Sequence, residues 1–359
     1  MTTIAQKMAL ADNRPSGFDY LRLVLASWVI CIHAYDVTCG LAAGRLVEDS
    51  FLRTIALPVV PMFFAVSGFL VGRSLTNCRS LISFLGLRGL RIFPALAGEI
   101  VVTALLLGPL LTSKTLSEYF SSPELIDYLS GVTGVVQTYL PGVFSGNPWP
   151  GTVNAQLWTV PYELLCYVVL AVLALAGVAK RRHLLLAFAM SVQLAFAAFL
   201  FLHVRQLNSG RLSMLCFLFG IVFQAYSDRI RLKPSWLVAS IVVCLVVGTW
   251  PGGEFLTAIP LVYITVYLGM LQPPRTRVLL SGDYSYGMYV YGFVIQQMVV
   301  LALPRLPWVG NALVSIVLAF LVAHLSWRWI EKPALGLKPA LLRLEGRVLS
   351  PSPPTRDVP

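Results

Sequence analysis

Residues 18–35 read FDYLRLVLASWVICIHAY, an apolar segment of membrane-spanning length that carries Arg22 and His33. The two residues are 11 positions apart, almost three α-helical turns, so their side chains share one helix face and lie roughly 16 Å apart along the axis. An ionisable group in the middle of a membrane costs about 2.5–3.5 kcal/mol on insertion scales, and a helix that served only as an anchor would carry leucine at both positions. The segment therefore predicts a membrane helix that lines a cavity.

The composition extends this prediction to the whole chain. The 359 residues are 57% hydrophobic and 12% charged, with a mean hydropathy of +0.77, which is too apolar for a soluble globular protein. The net charge of +11 is spread over short basic clusters between apolar runs, so nucleic-acid binding is not expected. The composition predicts an all-α, polytopic protein in contact with membrane lipids.

Apolar runs long enough to cross the hydrocarbon of a bilayer predict about ten transmembrane helices. Most Lys and Arg residues then fall in connections on the side of the N-terminus, so the positive-inside rule predicts that both termini are cytoplasmic. Residues 1–17 form a cytoplasmic segment without an apolar core, and the first helix is expected to act as an uncleaved signal. The transmembrane domain is predicted over residues 18–333, with helices at 18–39, 55–75, 88–111, 156–179, 183–204, 211–227, 235–250, 255–271, 281–303 and 309–330.

The connection over residues 112–155 is too long for an ordinary loop. The order Ser122-Pro123-Glu124 predicts the start of a short helix that ends near Tyr139. The turn-rich segment PGVFSGNPWPG, residues 141–151, could cover the mouth of a site; a covering loop without function is an equal alternative. At the C-terminus, residues 334–359 are predicted to form a disordered cytoplasmic tail.

The cysteines indicate neither a metal site nor a redox site. All six occur singly, mostly inside apolar runs, without CxxC or metal-ligand spacing. They are predicted to be small apolar core residues: Cys31, Cys39, Cys78, Cys166, Cys216 and Cys244.

His33 is the first candidate for chemistry. A single membrane histidine is more often a hydrogen-bonding group between helices than a catalyst, but Arg22 on the same face favours a catalytic role. Asp36, three residues later, could orient the His33 ring and fix its tautomer. The alternative, a solvated acid at the end of the helix, is the interpretation that we favour for Asp36.

Arg88 and Arg91 open the third predicted helix within LRGLRIFP, residues 87–94. Their spacing of three places both side chains on one face near the cytoplasm. Snorkelling to lipid phosphates is the usual explanation for arginines at a helix entrance. The alternative is an anion clamp, because guanidinium groups bind phosphates through planar forked hydrogen bonds.

Two acids lie inside predicted membrane helices. One is Glu163, at the end of the motif AQLWTVPYE (155–163), and the other is Glu99. Placing a carboxyl group there costs free energy unless it faces a cavity or a basic partner. Ser67 and Gly68 are predicted to serve close helix packing rather than chemistry. Three polar residues toward the end of the last helix are predicted to form an ion-paired anchor: His324, Arg328 and Glu331.

Together these segments resemble the acyltransferase-3 family of integral membrane O-acyltransferases, whose bacterial members modify lipopolysaccharide, exopolysaccharide and lipo-oligosaccharide. Many members carry a His shortly after the motif SYGMY, where this chain has Tyr291 and Gly292, so the resemblance implies no second catalytic His there. The chain also ends without the hydrolase-like domain fused to some members and is expected to act alone. The matching motifs appear in family order: Arg22 with His33, FFAVSGFL (63–70), RGLRIFP (88–94), NAQLWTVPYE (154–163), SYGMY (285–289) and WIEKP (329–333).

The resemblance implies transfer of an acyl group, usually acetyl from acetyl-CoA, to a hydroxyl of a cell-surface or exported carbohydrate or glycolipid. It implies a location in the bacterial inner membrane and no metal. Arg88 and Arg91 would hold the phosphates of coenzyme A, and Arg22 would bind the donor deeper or steady the thioester oxyanion. His33 would be the general base or a transient acyl carrier, and Glu163 would position His33 or the acceptor.

Two other function classes compete with the enzyme. Buried Arg, His and Glu would also suit a transporter or flippase for a glycolipid or polar solute, although the sequence has no internal repeat of the kind common in transporters. A membrane scaffold without chemistry is least favoured, because it would not explain the ordered series of motifs.

Overall fold

A computed structural model describes residues 2–77, 80–203, 209–250 and 253–349. These residues form helices joined by loops, with isolated β-bridges and no strand among them, which confirms the all-α prediction. Within this part of the chain, 6 helices are long and apolar enough to cross a membrane, and shorter apolar helices of 10–17 residues accompany them. The larger number of crossings stays a prediction.

Every predicted helix position is occupied by a helix. We label the principal helices α1 to α10; α3 continues through a π-helical turn, Thr103–Leu107, and α10 through another, Trp327–Glu331. Their bounds are Gly17–Cys39 (α1), Val59–Asn77 (α2), Leu81–Val102 (α3), Thr159–Leu175 (α4), Arg182–His203 (α5), Ser209–Ala225 (α6), Pro234–Val247 (α7), Ala258–Gly269 (α8), Ser285–Ala302 (α9) and Trp308–Ser326 (α10).

Among the ten helices, α3 has the start that differs most from its prediction: residue 88 was predicted, and the helix begins at Leu81. Ser80 is extended, and its side chain accepts a hydrogen bond from the backbone N–H of Ser83 at 3.2 Å, which caps a helix that begins at Leu81. Arg88 and Arg91 therefore lie inside α3 rather than at its entrance.

The helix predicted to run from Ser122 to near Tyr139 ends earlier, at Ser130. A short 3-10 turn follows, and Gly134 then takes a left-handed conformation with φ +93°, which stops the helix because glycine adopts it without a steric penalty. Tyr139 is instead paired in a β-bridge with Thr152. Several short helices in the described part of the chain were not predicted, among them Ile4–Leu10, Leu41–Glu48 and Leu116–Ser121.

Part of the predicted disordered tail is helical. Lys338–Leu349 forms a helix that packs against α3, and a β-carbon on Gly86 would lie 2.8 Å from the Leu341 side chain. The apolar contact with α3 accounts for this order, so the disorder prediction is wrong for these residues. Residues 350–359 lie outside the described residues.

Helices α2 and α6 approach each other at two glycines. A β-carbon on Gly68 would lie 2.0 Å from the Phe217 carbonyl oxygen, and one on Gly220 would lie 2.6 Å from the Ala65 carbonyl oxygen. Small residues allow such close backbone contact between membrane helices. The packing role predicted for Gly68 is confirmed.

We expect Gly68→Ala to destabilise the protein by about 1–3 kcal/mol, because a backbone carbonyl cannot move aside as a flexible side chain would. Thermal unfolding in detergent measures this loss. Gly146→Ala is the matched control, since a β-carbon there meets nothing within 4 Å. Equal melting temperatures for the two variants would contradict the close contact.

The outer surface of α10 carries a stripe of exposed apolar side chains. Leu313 is 62% exposed, and Val317 and Leu321 follow one and two turns later at 59% and 54%. A continuous apolar surface of this kind is unfavourable in water and favourable against lipid tails. It fits an integral membrane protein.

Candidate active site

Arg22, on the second turn of α1, belongs to a cluster of charges where three parts of the chain meet. Its Nη2 donates to Asp19 Oδ1 at 2.7 Å, and its Nη1 lies 3.3 Å from Asp283 Oδ2. Arg91 Nη2 on α3 donates to the same Asp283 oxygen at 2.8 Å. We call Arg22, Arg88 and Arg91 the arginine cluster; Asp283 joins two of its members.

Asp283 lies in the connection before α9, outside the helices. Burial alone would raise the pKa of Asp283, but the neighbouring Arg22 and Arg91 guanidinium groups and a hydrogen bond from Ser285 hold it well below its ordinary value. The carboxylate is therefore ionised and holds both arginines in place. Asp283 was not predicted; its only signal in the sequence is its position two residues before the motif SYGMY.

Glu163 lies beside the arginine cluster. Tyr167 donates from its hydroxyl to Glu163 Oε1 at 2.5 Å, and the same hydroxyl is 3.1 Å from Ser67 Oγ. Arg88 and Arg91 both lie within electrostatic range of the Glu163 carboxyl group. Ser67, predicted only to pack, is therefore also part of a polar network.

Glu163 was predicted to position either His33 or the acceptor; the structure does not place it against His33, and the role toward the acceptor stays a prediction. No hydrogen bond, ion pair or ring contact joins these two described residues. Glu163 is in the first turns of α4 and its hydrogen-bond network leads to α2, whereas His33 is near the far end of α1.

His33 lies in an aromatic environment, three turns from Arg22 as helix periodicity predicts. Its ring is 5.3 Å from the Phe293 ring, edge to face, and 6.1 Å from the Trp149 ring, centroid to centroid. Its Nδ1 is buried without a hydrogen-bond partner and lies 3.8 Å from Asp36 Oδ2. A small rotation of either side chain would bring the two into a hydrogen bond.

Asp36 is not the solvated helix-end acid that we favoured. Its side chain is only 20% exposed, because the short helix Leu41–Glu48 folds back over it. A β-carbon on Gly44 would lie 2.4 Å from Asp36 Oδ1, so a glycine is what lets this helix approach. The arrangement can orient the His33 ring through Nδ1.

The loop of residues 141–151 is fixed over this end of α1. Asn147 Nδ2 donates to the Gln297 side-chain oxygen at 2.8 Å and to its backbone carbonyl at 3.0 Å. Gln297 Nε2 in turn donates to the carbonyl oxygens of Trp149 and Thr152, both at 2.8 Å. We call residues 141–151 the outer loop; it is clamped to α9 and places Trp149 beside His33.

Glu99 is separate from the arginine cluster and is fully buried. Its Oε1 accepts hydrogen bonds from Thr103 Oγ1 at 2.8 Å and Asn154 Nδ2 at 2.5 Å, and the same Asn154 nitrogen contacts the Tyr128 hydroxyl. Glu99 thereby ties α3 to the segment that precedes α4.

The predicted ion-paired anchor at the end of α10 is wrong. Glu331 is buried and accepts a hydrogen bond from Ser326 Oγ at 3.0 Å, and His324 Nδ1 lies 3.2 Å from the Tyr284 hydroxyl. Arg328 is exposed and pairs with neither of them. The prediction assumed that these side chains follow one another at regular α-helical spacing. The π-helical turn over Trp327–Glu331 changes the direction in which they point.

The part of the chain that contains these residues is similar to known acyltransferases. A family model described as "Acyltransferase domain" matches residues 16–328. An "O-acetyl transferase" of Shigella phage Sf6 is 27% identical over 346 residues, which cover 93% of this chain and 100% of that protein. "Nodulation protein 10" of Rhizobium leguminosarum bv. viciae is 27% identical over 360 residues, which cover 92% of this chain and 96% of that protein.

No solved structure matches the chain. The family match includes α1 to α10 almost completely, with the arginine cluster, Asp283, Glu163 and His33 inside it. The chain therefore belongs to the acyltransferase-3 family of membrane O-acyltransferases.

Proposed function

We propose that the protein transfers an acyl group to a hydroxyl of a cell-surface or exported carbohydrate. The acyl group that we propose is acetyl, with acetyl-CoA as its donor. One structural observation supports this proposal independently of the family match. A single face of α1 joins two different polar sites, the arginine cluster at one end and His33 at the other. Cations that hold a polyanionic donor and a base that activates an alcohol are the two parts that this reaction needs.

The contacts between connections support a topology of about ten crossings with both termini cytoplasmic. At one end the N-terminal segment bonds to the α6–α7 connection, where the Ala5 N–H donates to the Ser227 carbonyl at 2.9 Å. At the other end the outer loop bonds to α9, and Arg53 pairs with Glu254 at 3.4 Å. Under this topology the arginine cluster faces the cytoplasm of a bacterial inner membrane and His33 lies toward the opposite side.

Coenzyme A is a cytoplasmic polyanion, and the arginine cluster offers forked donors for its phosphates. Asp19, Asp283 and Glu163 lie beside these arginines, so donor phosphates would compete with carboxyl groups for the guanidinium donors. Arg22 is roughly 16 Å along the helix from His33, which favours a phosphate contact for Arg22 over a role at the reacting carbonyl.

At the other site, His33 takes the proton of the acceptor hydroxyl while the hydroxyl oxygen attacks the thioester carbonyl carbon. The carbon–sulfur bond then breaks, and the coenzyme A thiolate leaves and takes up a proton. Asp36, 3.8 Å from His33 Nδ1, would fix the ring tautomer and stabilise the protonated ring during this step. In the alternative route, a neutral ring nitrogen of His33 attacks the thioester carbonyl, the coenzyme A thiolate leaves, and the acceptor hydroxyl then takes the acyl group from the ring.

The clamped outer loop leads to a prediction about water. Asn147→Ala removes the two hydrogen bonds that Asn147 donates to Gln297. The outer loop should then loosen and admit water to His33. We expect faster hydrolysis of acetyl-CoA without acceptor and a higher KM for the acceptor, both measured as release of free coenzyme A. Ser145→Ala, at an exposed position of the same loop, is the control; if it and Asn147→Ala hydrolyse the donor equally slowly, the loop does not exclude water.

The function itself is tested with purified protein, acetyl-CoA and candidate surface polysaccharides. The proposal predicts release of coenzyme A that depends on the acceptor and equals the acetyl groups found on it. Movement of a glycolipid or solute across a vesicle membrane without release of coenzyme A would overturn the proposal in favour of a transporter.

A further inference from the structure

A second cationic site lies near the arginine cluster, in a cavity that the proposed mechanism does not use. The cavity has a volume of about 810 Å³ and is bounded by α2, the connection between α4 and α5, and the end of α6. Three consecutive cations line it, Lys180, Arg181 and Arg182, and no carboxylate is among the lining residues. We call this space the basic cavity.

Arg182 is held in place at the wall of the basic cavity. Its Nη1 lies 3.1 Å from Asp228 Oδ2, and its guanidinium group lies 5.3 Å from the centre of the Tyr226 ring. Lys180 and Arg181 are exposed and form no ion pair with any residue that the structure describes. Two cations are thus free to bind an anion beside a third that is fixed, an arrangement suited to a doubly charged phosphate.

Apolar side chains also line the basic cavity. Leu185 is buried and Ile221 lies beside Gly72, so a flat ring could rest there, while Gln224 offers an amide group. An apolar wall next to a cationic one fits a nucleoside phosphate better than an isolated inorganic anion.

The basic cavity adjoins the arginine cluster through α2. Gly72 lines the cavity and is five residues from Ser67, roughly 7.5 Å along the helix. Ser67 bonds to Tyr167, which bonds to Glu163, and Glu163 lies within range of Arg88 and Arg91. Two separate cationic sites therefore lie at the same end of the molecule.

The donor carries phosphate at two separate places: a diphosphate next to its pantetheine arm, and a 3′-phosphate on the ribose. We infer that the basic cavity binds the adenosine 3′-phosphate end of the donor, with Lys180 and Arg181 on the 3′-phosphate, while the arginine cluster holds the diphosphate. This inference rests on the proposed function. A lipid headgroup offers the same phosphate chemistry, and the experiment separates the two sources.

The experiment compares acetyl-CoA with acetyl-dephospho-CoA, which lacks only the 3′-phosphate. For the variant Lys180→Ala/Arg181→Ala, we expect the KM for acetyl-CoA to rise about tenfold, with kcat unchanged. The KM for acetyl-dephospho-CoA should be the same in the variant and the parent. The control variant Arg277→Ala/Lys332→Ala removes two exposed cations elsewhere in the cytoplasmic connections and should leave both KM values unchanged.

Several results would overturn the inference. If the parent transfers acetyl from both donors with equal KM, the proposed function stands and the second phosphate site does not. An equal rise in KM for both donors in Lys180→Ala/Arg181→Ala would also contradict it. In nanodiscs with and without phosphatidylglycerol, a response to the anionic lipid that this variant loses, with an unchanged KM for acetyl-CoA, would assign the cavity to lipid. If neither donor supports transfer, the proposed function itself fails.

Discussion

Replacing His33 with alanine is expected to lower the rate of acyl transfer by about 10²–10⁴-fold, the usual contribution of a positioned general base. The ring is only 19% exposed, between Trp149 and Phe293, and Asp36 lies 3.8 Å from its Nδ1. The measurement is acceptor-dependent release of coenzyme A from acetyl-CoA by purified protein.

Two further variants make this result specific. His33→Gln keeps a polar side chain of similar length but cannot serve as a base near neutral pH, so it should be as inactive as the alanine variant. His324→Ala changes an exposed histidine on α10 and should keep most of the activity. An active His33→Gln enzyme would show that the residue supplies a hydrogen bond and not the base.

Replacing Arg88 and Arg91 together with alanine is expected to raise the KM for acetyl-CoA by about 10²-fold, with a much smaller effect on kcat. Each guanidinium group would contribute a charged hydrogen bond to the donor in both the ground state and the transition state, so its loss weakens binding rather than the chemical step. Steady-state kinetics with varied acetyl-CoA and saturating acceptor measure both constants.

The alternative for these arginines is a contact with lipid phosphates. The exposed pair Arg277→Ala/Lys332→Ala again provides a variant with the same change in charge. An unchanged KM for acetyl-CoA in the Arg88→Ala/Arg91→Ala protein would show that both residues contact lipid phosphates instead of the donor. The salt bridge of Arg91 with Asp283 at 2.8 Å holds this guanidinium group against the connection before α9, which favours the donor site.

Helix positions were predictable because lipid demands long apolar runs, and the ten expected positions each contain a helix. Helix ends were less predictable, since they depend on single residues. Ser80 caps α3 earlier than expected, and Gly134 stops the helix that begins at Pro123. Leu341 packs against α3 in a segment whose polar composition suggested disorder.

The candidate site was predictable only along one helix. Periodicity placed Arg22 and His33 on the same face of α1, because the spacing of residues fixes the geometry of a helix. Partners that come from other helices could not be read in this way. Asp283 was missed, and Glu163, predicted to position either His33 or the acceptor, lies with Arg88 and Arg91 instead of His33.

The central claim is that the acyl group enters at the arginine cluster and is delivered at His33, toward the opposite side of the membrane. The most direct test uses proteoliposomes with the acceptor polysaccharide enclosed, isotopically labelled acetyl-CoA outside, and protein sorted for an outward N-terminus. Mass spectrometry of the enclosed polysaccharide should find the labelled acetyl group with the parent protein and none with His33→Gln. Labelling that occurs only when donor and acceptor are on the same side would contradict the account.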